Sequence, residues 1–409
     1  MAGPLGDIRV LDLSRILAGP WAGQTLADLG AEVIKIERPG SGDDTRGWGP
    51  PFQPDRPDGT RGDAAYFLSA NRGKASVCID MADPQGQELI RKLAAECDVL
   101  LENFKVGGLA KYGLDYESLR TINPRLIYCS ITGFGQTGPY RHRAGYDFMI
   151  QGMGGIMSVT GQPDGAPGAE PMKCGVAFAD IFTGLYSVIG ILGALHDRAT
   201  TGRGQHVDMA LLDAQVGVLA NQALNYLVGG TAPPRLGNAH PNIVPYQALP
   251  TSDGFLIIAI GTNRQFSKFC EIASLDKLDT DPRFITNQDR VVHRDQLIPL
   301  VAEALKARTT DDWIATLEAH AIPCGPIADI AQVFDNPQVQ ARGLGIDLER
   351  PSGETTPGVA NPIRYSETPI EYTKAPPALG QDTRDILTRI GALSDEEIDR
   401  LIEEGTISE

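Results

Sequence analysis

The first 130 residues alternate between short apolar runs and segments with helical spacing, and this alternation most constrains the fold. Five β-branched and apolar runs predict strands: 8–13, 32–37, 76–80, 98–102 and 125–131. Between them, residues 21–29 and 84–96 carry apolar side chains at helical spacing. Strands and helices that alternate at this interval are typical of βαβ units with right-handed crossovers. The sequence therefore predicts an α/β fold with a parallel, Rossmann-like sheet.

The second half of the chain predicts a smaller domain. Two long helical patterns are followed by a change of composition at a Gly- and Pro-rich segment, residues 229–234. Beyond it, a strand pattern at 255–260 precedes several helical patterns. We expect a large domain formed by residues 1–228 and 326–409, with a small α/β domain of residues 229–325 inserted in it.

Charge and cysteine usage exclude several classes of protein. The net charge is −16, from 36 Lys and Arg against 52 Asp and Glu, so we expect no nucleic-acid partner and no anionic membrane. The six cysteines form no CxxC pair and the histidines show no metal-ligand spacing, so we expect free thiols and no metal. The first residues lack a basic region followed by an apolar one, which is typical of a cytoplasmic protein.

Neither common nucleotide-binding loop is present. No Gly-x-Gly-x-x-Gly follows the first strand and no Gly-x4-Gly-Lys-Ser/Thr occurs, so an NAD-dependent oxidoreductase is poorly supported. Ligands of α/β sheets bind where strands end, and basic and amide side chains flank the predicted strands. They are Arg38, Asn71, Arg72, Lys74, Asn103, Lys111 and Arg143. Each alone is typical of solvated surface, but together they could form a pocket for an anion.

Asp180 opens an apolar helical pattern at residues 180–196. An Asp in this place is typical of a helix N-cap. A carboxylate that the helix dipole keeps ionised is also a competent nucleophile for covalent catalysis. The pattern alone leaves both interpretations open.

A series of ordered motifs extends along almost the whole chain. They are IRVLDL (8–13), AGP (18–20), LGAEVIKIERPG (29–40), NRGK (71–74), ENF (102–104), ITGFGQTGP (131–139), GYD (145–147), Asp180 and TGRGQ (201–205). With these motifs the chain resembles the class III CoA-transferases, the family of formyl-CoA transferase and carnitine CoA-transferase. So many matches in order are far more specific than any one of them.

The resemblance implies an architecture and a mechanism. Two chains, each with a Rossmann-like domain and an inserted small domain, would thread each other to form an interlocked homodimer. Asp180 matches the catalytic aspartate of the family, which takes an acyl group from acyl-CoA as an anhydride and then holds CoA as a thioester. The substrates would be an acyl-CoA and a small free carboxylic acid, and no metal takes part.

The resemblance also assigns contacts to CoA by position. They are Arg15, Ile16, Arg38, Asn71, Arg72, Lys74, Asn103, Phe104, Lys111, Tyr112, Arg143 and Tyr146. Arg38 would meet the phosphates of the adenosine part, and Tyr146 would lie near the thioester. Cationic side chains suit a ligand that carries phosphates, because charge-assisted hydrogen bonds are strong.

Two departures refine the resemblance. Formyl-CoA transferases carry a run of glycines where this chain has residues 236–247, and that stretch resembles relatives that use succinyl-CoA with dicarboxylic acids such as glutarate or citramalate. The alternative is an α-methylacyl-CoA racemase, which shares the fold but places a histidine base where this chain has Tyr146. A CoA-binding protein without catalysis is disfavoured because Asp180 is retained.

Overall fold

The computed structural model describes residues 3–54, 59, 61–351 and 353–409. Its contacts divide the chain into two units, of which the first comprises Met1–Gly155, Cys174–Ala220 and Gln338–Glu409. The second comprises Ile156–Lys173 and Asn221–Pro337, and is therefore wider than the predicted 229–325.

The additional segment belongs to the second unit because its backbone is bonded there. The backbone N–H of Gly237 donates to the carbonyl of Gly161 over 3.0 Å. The guanidinium of Arg235 donates to the carbonyl of Gln162 over 3.2 Å. Pairing between distant segments leaves no compositional signal, so the sequence did not predict it.

The strands and helices are numbered in chain order. The strands are β1 (Arg9–Asp12), β2 (Glu32–Glu37), β3 (Lys74–Ile79), β4 (Val99–Glu102), β5 (Ile127–Thr132), β6 (His206–Ala210), β7 (Tyr246–Pro250), β8 (Phe255–Ala259), β9 (Cys324–Pro326), β10 (Gly345–Glu349), β11 (Thr355–Val359) and β12 (Ile407–Ser408). The helices are α1 (Ala18–Asp28), α2 (Ala65–Leu68), α3 (Pro84–Ala95), α4 (Tyr116–Ile122), α5 (Asp147–Met153), α6 (Ile156–Val159), α7 (Phe178–Thr201), α8 (Leu211–Gly217), α9 (Ala220–Gly229), α10 (Asn263–Ile272), α11 (Asn287–Val292), α12 (Arg294–Leu305), α13 (Thr310–Glu318), α14 (Ile330–Asp335), α15 (Pro337–Ala341), α16 (Thr383–Arg389) and α17 (Asp395–Glu403). Short 3-10 turns cover Asp44–Gly47 and Ala110–Tyr112.

The first unit is built on a seven-stranded sheet in the order β12-β3-β2-β1-β4-β5-β6. Strands β1 to β6 are parallel and β12 joins the edge antiparallel. The predicted α/β fold with a parallel sheet is therefore confirmed. Strand β1 has β2 on one side and β4 on the other, so the order of the strands reverses at β1. Such a reversal opens a crevice at the carboxyl ends of the strands.

Helices cover both faces of this sheet. One apolar cluster packs α3, α4, α16 and α17 on the first face, and another packs α1, α5 and α7 on the second. Small side chains of α7 face the inside of the unit, since Thr183 and Ser187 are fully buried. A Cβ at Gly184 would come within 2.7 Å of the carbonyl of Ala18, so α1 and α7 pack at close range.

Helix α7 is also long and apolar enough to cross a membrane by length and composition alone. Here it packs against α1, α8 and the sheet as a helix of the first unit. The helical pattern over 210–228 predicts one helix, but the structure has two. Helix α8 ends at Gly217, and Ala220 has a φ of 48°, which breaks the helical path.

The second unit has its own core. A three-stranded antiparallel sheet, β7-β8-β9, packs against α10, α12 and α13. Phe266, Phe269 and Trp313 are among its buried side chains. The predicted strand at 255–260 and the helices that follow it are confirmed as β8, α10, α12 and α13.

Candidate active site

A crevice opens at the carboxyl ends of β1, β4, β5 and β6, within the first unit. It gathers most of the residues that the sequence analysis singled out. Those along it are Arg15, Ile16, Asn103, Phe104, Lys111, Tyr112, Arg143, Tyr146 and Asp180. A neighbouring groove at the ends of β2 and β3 shares Arg15, Phe104 and Tyr112 with it and adds Arg38. The position at strand ends beside a topological reversal is where α/β sheets bind ligands.

Asn103 joins the two loops that form the floor of the crevice. Its Oδ1 accepts a hydrogen bond from the backbone N–H of Arg15 over 2.9 Å. Its Nδ2 donates to the carbonyl of Arg15 over 2.6 Å. Because the amide engages the backbone on both sides, Asn103 fixes the loop after β1 against the loop after β4.

Ile16 occupies a strained backbone conformation in that loop. Its φ is 74°, which is rare for a β-branched residue and marks functional sites in many proteins. Its N–H points at the carboxylate of Asp43, 3.3 Å from each oxygen. Asp43 in turn forms a buried ion pair with Lys35 over 2.9 Å. The strained loop is thus hydrogen-bonded to the buried carboxylate of Asp43.

Exposed cations lie along the crevice and along the groove beside it. Arg38, Lys111 and Arg143 are all solvent-exposed. The guanidinium of Arg143 lies 5.1 Å from the ring of Tyr140, and the ammonium of Lys111 lies 4.4 Å from the ring of Tyr112. Arg15 pairs with Asp44 over 2.8 Å. Side chains of this kind can bind the phosphates of an anionic ligand.

Two of the predicted CoA contacts, Asn71 and Lys74, are buried outside both grooves. The ammonium of Lys74 donates to Asp12 Oδ2, Asn71 Oδ1 and the carbonyl of Pro20, each over 2.9 Å. Burial opposes the charge of Asp12, but the ammonium groups of Lys74 and Lys35 outweigh it and lower the pKa of Asp12. The prediction that these side chains bind CoA is not supported, because they are fully buried in this network.

Arg72 also lies away from the crevice. Its guanidinium forms two hydrogen bonds with Asp28, of 2.8 and 2.6 Å. It lines a different surface pocket with Asp28 and Tyr372. Residues that precede a parallel strand lie at the amino edge of the sheet, and Arg72 comes directly before β3. The structure therefore does not bring Arg72 together with the crevice, because its motif precedes β3 and lies at the amino end of that strand.

The place of Asp180 in the sequence predicts that it caps helix α7, but in the structure it does not. The helix begins at Phe178 and its N-cap is Ala177, which makes no side-chain hydrogen bond. The cap comes from another helix, since Asp147 Oδ1 accepts the N–H groups of Ala179, over 2.8 Å, and of Asp180, over 3.3 Å. The Asp180 side chain is thus left to face the crevice.

The electrostatic environment of Asp180 also differs from the expectation. Burial and the charge of Asp147 raise the pKa of Asp180 to about 7. The dipole at the helix start was expected to keep this carboxylate strongly ionised. Nearby, burial and the charges of Asp180 and Asp147 raise the pKa of Tyr66, so its phenol stays protonated and can donate a hydrogen bond.

Sequence reasoning did not single out Asp147, which caps α7, or Glu102, which binds the backbone of Phe104, although both belong to the quoted motifs. Glu102 ends β4, and its carboxylate accepts the N–H of Phe104 over 2.8 Å. Burial raises its pKa to about 7. The available signal was their position next to predicted site residues, because Asp147 follows Tyr146 and Glu102 precedes Asn103.

The crevice thus combines a half-buried carboxylate with exposed cations and two phenols nearby. A carboxylate so placed can attack an electrophilic carbonyl of an anionic ligand. Among the residues that the structure describes, no three His, Cys, Asp or Glu side chains group as metal ligands would.

Comparison with known families and proteins gives one consistent result. The model of CoA-transferase family III matches residues 5–383. A succinate–glutarate CoA-transferase of Agrobacterium fabrum is 53% identical over 95% of this chain and 96% of its own. The succinyl-CoA:glutarate CoA-transferase of Homo sapiens is 43% identical over 99% of this chain and 90% of its own.

Solved structures agree with the relatives. A CaiB/BaiF family protein from Brucella suis is 56% identical and superposes with a TM-score of 0.84, covering 95% of this chain and all of that one. A protein from Mycobacterium tuberculosis is 32% identical with a TM-score of 0.82 over 94% of this chain and 99% of its own. Both similarities extend across both units of the chain.

Proposed function

The chain belongs to CoA-transferase family III, and we propose that it exchanges CoA between succinyl-CoA and a second dicarboxylic acid of the size of glutarate. The relatives from Agrobacterium fabrum and Homo sapiens carry this activity in their names. More distant relatives are named for oxalate, citramalate or mesaconate. This chain is thus more similar to the two glutarate enzymes than to the relatives named for oxalate, citramalate or mesaconate, which favours succinyl-CoA and glutarate as the substrate pair.

The observation that carries the proposal is the placement of Asp180 in one crevice with the exposed cations Lys111 and Arg143, beside the groove that holds Arg38. A CoA ester extends from a phosphate-rich end to a reactive thioester. The cations Arg38, Lys111 and Arg143 would hold the phosphates, and Asp180 would meet the thioester beside Tyr146. This binding mode requires the cations and the Asp180 carboxylate to lie along the same edge of the sheet, as they do here.

In the first half-reaction, an oxygen of Asp180 attacks the thioester carbonyl of the donor. The carbon–sulfur bond breaks and CoA leaves as a thiolate, which gives a mixed anhydride between Asp180 and the donor acid. The thiolate then attacks Cγ of Asp180. The donor acid leaves as a carboxylate, and CoA is held as a thioester on Asp180.

In the second half-reaction, the acceptor carboxylate attacks the same Cγ and releases CoA thiolate. The thiolate attacks the acceptor carbonyl of the new anhydride, so the acceptor leaves as acyl-CoA and Asp180 is regenerated. No proton has to be abstracted from carbon. The partial burial of Asp180 suits this chemistry, because water would hydrolyse both intermediates.

A racemase is not favoured. The relatives described above are named as CoA-transferases. A two-base racemase needs a second group that accepts a carbon-bound proton, and a tyrosine stands at the position of the histidine in that family. Tyr146 is 63% exposed and flanks the crevice.

The test is Asp180→Ala with succinyl-CoA as donor and a panel of dicarboxylic acids as acceptors. We expect the variant to lose transfer while it still binds CoA, and we expect hydroxylamine to modify Asp180 of the wild type when acyl-CoA is present. Asp213→Ala, an exposed aspartate on α8, is the matched control and should transfer normally. Transfer by Asp180→Ala, or hydroxylamine modification of another residue, would refute the assignment.

We also propose that the protein is a cytoplasmic homodimer in which the two chains interlock through the small domain. Large apolar side chains on the outward face of α7 and on α9 support a partner surface, since Ile189 is 61%, Leu227 70% and Val228 83% exposed. Light scattering after gel filtration should give twice the chain mass of 43.8 kDa. A monomer at micromolar concentration would contradict the proposal.

A further inference from the structure

The first turn of helix α7 is capped by a residue from outside the helix. A helix start leaves several backbone N–H groups without partners, and Ala177 has no side-chain oxygen to accept them. Asp147 Oδ1 takes two of these groups, those of Ala179 and Asp180. The position of the Asp180 backbone therefore depends directly on Asp147.

The carboxylate of Asp147 is itself held at its second oxygen. Gln151 Nε2, one turn along α5, donates to Asp147 Oδ2 over 2.7 Å. Gln151 is fully buried, and its Oε1 accepts the N–H of Cys174 over 2.8 Å. Asp147 is thus fixed on both sides, by α7 and by a buried amide that also binds the segment leading into α7.

A neutral oxygen acceptor would be enough to cap the helix, as Ser, Thr and Asn do in most proteins. An aspartate adds a negative charge next to the Asp180 carboxylate, and this charge opposes the ionisation of Asp180 together with burial. A more basic carboxylate is a stronger nucleophile. When Asp180 forms the anhydride or the thioester, it carries no charge, so the repulsion from Asp147 is relieved in the intermediates.

Other titratable and charged groups also face Asp180. Tyr66 of α2 and Tyr146 contribute phenols, and Tyr112 also lines the crevice. The basic side chains along the crevice are Arg15, Lys105, Lys111, Arg141, His142 and Arg143. Among the described residues, Asp147 is the charged group that acts on Asp180 most directly.

We propose that Asp147 is the positioning residue of the transfer reaction: it fixes the first turn of α7, and its negative charge makes the Asp180 carboxylate a stronger nucleophile. This inference rests on the proposed role of Asp180. It assigns to the last residue of the Gly-Tyr-Asp motif a function that acts through Asp180 and touches no substrate.

The test compares Asp147→Asn with Gln151→Met in the full-length protein. Both variants lose the contact between residues 147 and 151, but only Asp147→Asn removes the charge. For Asp147→Asn we expect the acid limb of kcat/KM for succinyl-CoA to move to lower pH by roughly one pH unit. We expect kcat above pH 8 to fall about tenfold, with KM within about threefold of wild type. The acid limb of Gln151→Met should stay at the wild-type pH.

Trapping with hydroxylamine separates this inference from the proposed function. If wild-type protein is modified at Asp180 and Asp147→Asn has the same acid limb as wild type, the role of Asp147 is refuted while that of Asp180 stands. If Asp180 is not modified in the wild type, the proposed nucleophile itself fails. Should Asp147→Asn not fold, Asp147→Ser keeps an oxygen acceptor without charge, and an unmoved acid limb in that variant would equally overturn the inference.

Discussion

The Lys74→Met variant should unfold more easily than the wild type and should bind CoA equally well. The ammonium of Lys74 is fully buried and donates three hydrogen bonds of 2.9 Å, one of them to the buried carboxylate of Asp12. Methionine has a similar length but leaves Asp12 without this partner. Removing one member of a buried ion pair costs about 3–5 kcal/mol, because the other charge stays buried and uncompensated.

This loss is large enough to measure by thermal unfolding. In a domain of this size one kcal/mol lowers Tm by roughly 2–4 °C, so we expect a decrease on the order of 10 °C. The double variant Asp12→Asn with Lys74→Met removes both charges and should recover more than half of that decrease. Circular dichroism follows unfolding, and calorimetric titration at 20 °C gives the Kd for CoA, which should stay within about threefold of wild type.

The opposite result would restore the sequence-based role of Lys74. A variant that unfolds at the wild-type temperature and binds CoA more than about tenfold more weakly would show that the ammonium contacts the ligand. The double variant then adds a second check, since neutralising Asp12 cannot repair a missing contact to CoA. The prediction depends only on the burial and hydrogen bonds of Lys74.

Two further predictions concern charges at the strand ends. Arg38→Ala should raise the Kd for CoA by roughly ten- to a hundredfold, because a charge-assisted hydrogen bond contributes about 1.5–3 kcal/mol. The substitution should leave Tm unchanged, since Arg38 is exposed. An unchanged Kd in titration calorimetry would remove Arg38 from the CoA site. Glu102→Gln should stabilise the protein by about 2–3 kcal/mol at pH 8 and leave its stability unchanged at pH 4. Burial raises the pKa of Glu102 from 4.5 to about 7, so folding favours the protonated form and wild-type stability falls as pH rises between these values. Urea unfolding at both pH values measures this difference, and an equal effect at pH 4 and pH 8 would contradict it.

Strands β1 to β5 of the sheet were predictable because each of them carries its own signal. Every predicted run of the first 130 residues became a strand of the parallel sheet, within two residues at either end. The crevice at their carboxyl ends followed from topology alone. The sequence could not show at which end of a strand a motif lies. Asn71, Arg72 and Lys74 lie at the start of β3 and are buried in the unit, whereas Asn103 and Phe104 follow the end of β4 and line the crevice.

The capping of α7 was unpredictable for a different reason. Local rules assign a helix cap to the residue just before the helix, and the Asp nearest the start of the apolar pattern was Asp180. The actual cap, Asp147, lies 33 residues away from Asp180 and reaches α7 only through the fold. Tertiary contacts of this kind leave no periodic pattern, so only the structure shows that the carboxylate of Asp180 is available for chemistry.

The chain has a net charge of −16 but contains two groups of cations, and we expect only one of these groups to bind the ligand. Lys74 and Arg72 are buried against Asp12 and Asp28, where charge is costly unless it is paired and hydrogen-bonded. Arg38, Lys111 and Arg143 remain exposed around the crevice, where they can bind phosphate without first breaking a buried pair. Because the buried pairs tie β1, α1 and β3 together, substitutions at them should change stability, whereas substitutions at the exposed cations should change affinity for CoA. The two effects are measured independently, so one set of five single variants decides which basic residues belong to the site.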